Sequence, residues 1–294
     1  MEIKKLPILY QIYGSIIRNI FEFRWKSRFR NPLMEFIQRK SKKNKYYCYI
    51  KYGDGIRIRL DLYDWLPQLM FVWGDIEAGA TGCFRRLLKP GMVFVDIGAN
   101  IGYYSLIASK LVGGNGKVFS FEPWSRNRSI LEENIKLNNF FNITIIPKAV
   151  SNEVNDSVKI YLPKDNNCGM PSLKKVNEDN YTDKFELTST TTFQDFLNTF
   201  KPGRIDVIKI DAEGSELNIL KGMSASLADK NFNPVILMEL MEFSLVNFSA
   251  SVKEIIDYLA GYGFKAYKID NFSRLSEKND YGEEPALCLF QRPI

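Results

Sequence analysis

Three carboxylates, Asp211, Glu213 and Glu239, fall at or just beyond the ends of two apolar runs, Val207 to Asp211 and Val235 to Glu239. Such runs read as buried parallel strands, and doubly wound sheets bind ligands outside the carboxyl ends of their strands. Acidic groups crowded there raise one another's pKa toward neutrality, which suits them to take a proton from an alcohol. The 294-residue chain contains no histidine, which excludes Ser-His triads, Cys-His pairs, imidazole acid–base catalysis and His-ligated metals together. Any catalytic base must then be Asp, Glu, Lys, Tyr or Cys, and within this carboxylate cluster Glu213 stands ahead of Asp211. Lys209 alternates with Asp211 on a strand that otherwise reads as buried, so its ammonium is either paired, with Asp211 or Glu239, or depressed in pKa. Lys209 then belongs to the catalytic set or forms a buried ion pair that fixes the sheet centre. Glu213 has the same two readings, base or negative charge at a helix start.

A second constellation lies upstream. An apolar strand ends in Asp96 and is followed by Gly98, Ala99, Asn100 and Gly102 before a helix begins near Tyr103. A glycine turn at the carboxyl end of a first strand lets the backbone approach a cofactor. The spacing is Asp-x-Gly-x-x-x-Gly, which is neither the Gly-x-Gly-x-x-Gly dinucleotide fingerprint nor a Walker loop, so pyrophosphate binding is disfavoured. The next strand ends in Glu122, about twenty positions on, where a carboxylate can accept bonds from both hydroxyls of a ribose. Pro123 and Trp124 follow; Trp124 either lies against an adenine face or packs at a helix start.

The elements that must position these groups alternate. From residue 92 on, apolar strands (Met92 to Asp96, Lys117 to Glu122, Ile143 to Ala149) alternate with amphipathic stretches, which predicts a mostly parallel doubly wound, Rossmann-like α/β sheet over 91–294. Ser157 to Leu162 and Phe185 to Thr190 read as extra strands, Asp195 to Thr199 as a short helix, and Pro163 to Asp183 as a polar, mobile loop. Further on come helices over Glu216 to Leu220 and Val252 to Tyr262, then strands Lys265 to Ile269 and Ala286 to Phe290. Ahead of the sheet, residues 46–90 predict a β-hairpin around Gly53-Asp54-Gly55 and two helices, Trp65 to Trp73 and Ala78 to Leu88, capping the core. Residues 1–45 predict a basic amphipathic helical leader, with Leu9, Ile12, Tyr13, Ile16, Ile20 and Phe23 at helical spacing.

Charge separates these parts. Residues 1–48 hold twelve Lys and Arg against Glu2, Glu22 and Glu35, a balance of +9, whereas the whole chain carries +6, so the rest sums to −3. A basic leader on a slightly acidic body suits docking rather than nucleic-acid binding. The leader is expected to pack on its own core or on a twin subunit, as in a homodimer, with peripheral contact to the inner face of a membrane as the alternative. Cys48, Cys83, Cys168 and Cys288 are widely spaced and read as free thiols of a cytoplasmic chain.

The string Val95-Asp-Ile-Gly-Ala-Asn-Ile-Gly-Tyr-Tyr-Ser105 resembles a signature of the FkbM family of methyltransferases, joined by Phe121-Glu122-Pro123. Ile208-Lys-Ile-Asp-Ala-Glu-Gly-Ser-Glu216, ending in Leu220-Lys221-Gly222, resembles the family's second signature, with Ala212 where Val is usual. The resemblance spans about residues 75 to 240, taking in Glu77 and Glu239. It implies the class I methyltransferase fold with a C-terminal antiparallel hairpin and S-adenosylmethionine as cofactor. It implies methyl transfer to a hydroxyl of a small molecule, sugar, glycan or secondary metabolite. Asp96, Gly98, Ala99, Asn100, Gly102, Glu122, Pro123, Trp124 and Asp211 then form the cofactor site, while Glu77 and Glu213 face the acceptor. Leu240 and Met241 follow Glu239 where metal-dependent catechol-type enzymes carry Asp-Asn, so no metal is expected. A catalytically inactive scaffold in a glycan-assembly complex, and a nicotinamide-dependent oxidoreductase, are the competing readings.

Overall fold

The computed structural model describes residues 3–20, 32–41, 44–53, 55–75, 77–164, 171–175, 181–277 and 286–293. Phe23, Asp54 and Cys168 lie outside them, as do residues 24–31 of the leader and parts of the loop over 163–183.

The chain opens with β1 (Ile3–Lys5), α1 (Ile8–Ile20) and a second helix, α2, over 32–41. The hairpin follows as β2 (Lys45–Tyr52) and β3 (Ile56–Asp61), then α3 (Trp65–Trp73) and α4 (Ala78–Leu87). The alternating series runs β4 (Val93–Ile97), α5 (Tyr103–Val112), β5 (Lys117–Phe121), α6 (Ser125–Asn138) and β6 (Ile143–Ile146). An insertion of β7 (Ala149–Val150), β8 (Asn155–Pro163) and β9 (Tyr181–Thr191) leads to α7 (Phe193–Phe200). The series resumes with β10 (Val207–Ile210), α8 (Glu216–Gly222), α9 (Ser224–Ala228), β11 (Val235–Leu240), α10 (Glu242–Leu245) and α11 (Val252–Gly261). It closes with β12 (Lys265–Ile269), β13 (Leu275–Ser276) and β14 (Ala286–Gln291).

The central sheet has the order β13-β12-β14-β11-β10-β4-β5-β6. Strands β6, β5, β4, β10 and β11 are parallel, and β14 lies antiparallel between β11 and β12, which is the C-terminal hairpin expected from the sequence. Strand alternation divides the core. Val93, Val95, Ile97, Ile208 and Ile210 pack on one face, and Phe94, Val118, Val207 and Leu237 on the other. The second face also receives Asp96 and Lys209, which are register partners on adjacent strands. A polar seam therefore runs through the layer that α4, α5 and the N-terminal elements cover.

Three features depart from the sequence reading. The leader begins with a strand, β1, parallel to β2, and Leu6, Leu33 and Ile37 join the same apolar cluster as Ile58, Phe84 and Leu106. The stretch over 163–183 is shorter as a loop than expected, because Pro163 pairs with Tyr181 and extends the β8–β9 hairpin from both sides. The apolar stripe of α1 does not pack inward: Leu9, Ile12, Tyr13 and Ile16 are exposed, while Leu6 just ahead of the helix and Gly14 within it are buried.

Candidate active site

The glycine turn binds itself together. Gly98 and Ala99 donate their N–H groups to the Phe121 carbonyl at 3.1 and 2.9 Å, and Gly102 donates to the Ala99 carbonyl at 2.9 Å. The Asn100 N–H reaches Glu122 Oε2 at 2.7 Å, and the Ile101 N–H reaches Asn100 Oδ1 at 2.7 Å. All five amides are thus engaged within the turn and its neighbour strand, whereas a pyrophosphate cradle presents such groups to its ligand. This geometry argues against the nicotinamide reading.

Gly98 sits at φ +85°, and a Cβ there would overlap the Asp211 carbonyl oxygen. The sequence reading reserved that space for the cofactor; the structure gives it instead to the close approach of the β4 turn to the end of β10. Gly102, at φ +96°, is pressed against Leu131 in the same way. Asp96 lies beneath the turn: its Oδ2 accepts from the Ser105 hydroxyl at 2.5 Å, and its Oδ1 has no partner among the described residues.

Gly98, Asn100, Glu122, Pro123, Asp211 and Glu213 line one pocket at the carboxyl ends of β4, β5 and β10. Ala99, Gly102 and Asp96 do not reach its wall. Neither does Trp124, which precedes α6 and whose buried ring packs with Ile160 and lies 5.2 Å from the Arg126 guanidinium. Glu122 accepts one backbone bond on each oxygen, from Asn100 and from Trp124 at 2.9 Å, which leaves further lone pairs for a ligand's hydroxyls. Burial raises its pKa to about 7 against the bonds from Trp124 and Asn100.

The acidic group forms at the ends of β10 and β11. Lys209 Nζ meets Asp211 Oδ2 at 2.8 Å and lies 4.7 Å from the centre of the Tyr104 ring. Burial works to lower the Lys209 pKa, but Asp211, Asp96 and Glu77 outweigh it and raise the value. Glu77 accepts from the Tyr104 hydroxyl, and its pKa is raised by burial against the pull of Lys209. The Glu239 carboxyl is pushed up to about 8, chiefly by the charge of Asp211 and then by burial. Glu213 is held well above the carboxylate range by burial, with Asp211, Glu239 and Glu216 adding to it. It stands at φ +51°, and its buried Oε2 has no partner among the described residues. These residues come together as the sequence suggested, although Glu77 and Glu239 border the site through charge and do not line the pocket.

Sequence reasoning missed Glu216. Its Oε1 accepts from the backbone N–H groups of Ala212 at 3.0 Å and Gly214 at 3.3 Å, tying the turn that presents Glu213. A carboxylate reaching back over a helix start was a legible signal. Lys148, Ala149 and Val150, just past β6, also line the pocket, and the strand-end rule could have located them. Ile160, Pro171 and Leu173 arrive from the insertion, where no local signal points to the site. Among the described residues, no group of three or more carboxylates or thiols is arranged to hold a metal ion.

Residues 96–266 match the family model described as the Methyltransferase FkbM domain. Methyltransferase sdnD of Sordaria araneosa is 27% identical over 182 residues, covering 53% of this chain and 69% of that protein. Among solved structures, methyltransferase FkbM from Methylobacillus flagellatus is similar with a TM-score of 0.40 at 16% identity, covering 96% of this chain and 62% of that one. A SAM-dependent O-methyltransferase from Thermotoga maritima gives a TM-score of 0.40 at 13% identity, covering 74% of this chain and 65% of that one.

Proposed function

The chain belongs to the FkbM methyltransferase family, and from that premise we propose that it uses S-adenosylmethionine to methylate a hydroxyl of a sugar, glycan or secondary metabolite. The observation that carries this reading is Glu213, a buried carboxylate with an oxygen that has no partner among the described residues, in the wall of the pocket that also holds Gly98 and Glu122.

The pocket suits the cofactor. Its wall carries Glu122, Asp211 and Glu213, acidic groups that favour a sulfonium cation, and the turn's engaged amides offer nothing to a phosphate. When bound, S-adenosylmethionine supplies a methyl group for in-line transfer to an oxygen. Glu122 would hold the ribose hydroxyls on its remaining lone pairs, with Asn100 and Pro123 in the wall beside it. Asp211 is ion-paired to Lys209, and its charge raises the pKa of Glu213 and Glu239. Glu213 accepts the proton of the acceptor hydroxyl, a role that its raised pKa matches to an alcohol better than an ordinary carboxylate would. Glu77 and Glu239 take bonds from neighbouring hydroxyls and orient the acceptor.

Incubation with methyl-labelled S-adenosylmethionine and a panel of sugars, glycans and hydroxylated metabolites tests this reading. Label in a base-stable methyl ether is expected. Label in a nitrogen methyl group or a base-labile ester would contradict the O-directed assignment, and tight S-adenosylhomocysteine binding without transfer to any acceptor would favour the scaffold reading.

A further inference from the structure

The exposed face of α1 is apolar where the chain is most basic. At about 100° per residue, Ile8, Leu9, Ile12, Tyr13 and Ile16 fall within one arc of the helix of about 140°. Leu9 is 75% exposed, Ile8 66% and Ile12 50%. The opposite side is already occupied: Gly14 is buried, and Tyr10 stacks on Phe36 of α2 with ring centres 4.7 Å apart. The helix is therefore anchored to the protein on one side and presents aliphatic groups to the outside on the other. The helix α3, which packs against α1, exposes Trp65 at its start and Trp73 at its end.

The surroundings select the partner. Lys4 and Lys5 on β1 are exposed, as are Arg39 and Lys40 near the end of α2. Residues 1–48 together carry +9. A second copy seated on this face would set these basic side chains against their own counterparts, a repulsion that an anionic surface turns into attraction. Aliphatic groups on an amphipathic helix, basic side chains beside them and tryptophans nearby are the features of a helix lying in the plane of a bilayer surface. Among the described residues no helix is long and apolar enough to cross a membrane.

We propose that α1, with its Ile8-Leu9-Ile12-Tyr13-Ile16 face, docks this protein on an anionic bilayer surface. The inference is independent of the methyl-transfer reading, since it concerns a face outside the cofactor pocket.

The test uses the full chain and sedimentation with phosphatidylcholine vesicles, with and without phosphatidylserine. The wild type is expected to pellet with the anionic vesicles, to be released as salt is raised, and to stay in solution with the neutral ones. The double variant Leu9→Glu/Ile12→Glu should lower the vesicle affinity by at least about tenfold. Leu187→Glu, at an exposed site on β9, should leave it unchanged. Both substitutions are on the surface, and an unchanged melting temperature certifies the fold. Failure of the wild type to pellet with anionic vesicles would overturn the proposal. So would a wild-type dimer that the double variant turns into a monomer while vesicle binding persists, which would assign the face to a second copy.

Discussion

The two halves of the pocket are built on opposite terms. At the ends of β4 and β5 every amide of the glycine turn has a partner, and Glu122 accepts a bond on each oxygen. At the ends of β10 and β11, Glu213 and Glu216 each keep a buried oxygen without a partner among the described residues, and Glu213 sits in left-handed backbone. Five carboxylates, Glu77, Asp96, Asp211, Glu213 and Glu239, interact with the Lys209 ammonium. A satisfied region costs little to hold in shape and suits a cofactor bound without rearrangement. Burial raises Glu122 in the satisfied half, but only in the under-satisfied region do neighbouring carboxylates add strongly to one another's raised pKa, which is what moving a proton needs.

Breaking the satisfied half is expected to cost the most. Gly98→Val places a branched side chain into the Asp211 carbonyl at a positive φ, so the variant should lose its cooperative unfolding transition and not merely its ligand. A folded variant with normal melting would show that the close approach of β4 to β10 is dispensable. Lys209→Met leaves Asp211, Asp96 and Glu77 without their common counter-ion and should lower the unfolding free energy in urea by about 3 to 5 kcal/mol. A loss below about 1 kcal/mol would mean that the carboxylates take up protons at little cost. Glu122→Ala should weaken S-adenosylhomocysteine binding by about 1 to 3 kcal/mol in calorimetry while leaving the acidic half intact.

A separate consequence is the pH dependence of stability. Glu122 and Glu216 rise from 4.5 to about 7, and Glu239 to about 8, chiefly through burial and, for Glu239, the charge of Asp211. Between about 4.5 and 8 the folded state keeps protons that the unfolded chain has released, so stability is fullest below that window and falls as pH rises through it. Each such group contributes a slope of up to about 1.4 kcal/mol per pH unit. Melting temperature should therefore fall from pH 5 to pH 8, and Glu239→Gln should flatten the curve. A rising curve would contradict the assigned shifts.

Much of this was legible in the sequence because it is encoded locally. The period of the apolar runs marked the strands, Gly98 and Gly102 marked the turn, and the acidic residues at strand ends marked the pocket. What was not legible depends on how distant segments meet. Spacing marks Gly98 as a turn residue at the pocket, but only the approach of β10 shows that its missing Cβ also makes room for the Asp211 carbonyl. Trp124 had two equal readings until the insertion supplied Ile160 to pack against it. The stripe on α1 marked a helix but left its direction open between core, twin subunit and membrane, since Tyr10 and Gly14 offer a second packing face that spacing does not rank.

The division of labour between the two halves is tested most directly in one variant, Glu213→Gln, by measuring the single-turnover rate of methyl transfer to a verified acceptor beside the affinity for S-adenosylhomocysteine. The rate should fall by about 10² to 10⁴ while the affinity stays near that of the wild type, and the wild-type rate should rise with pH as Glu213 loses its proton. A full transfer rate in Glu213→Gln across pH 6 to 9 would contradict the assignment of the acidic half to proton transfer.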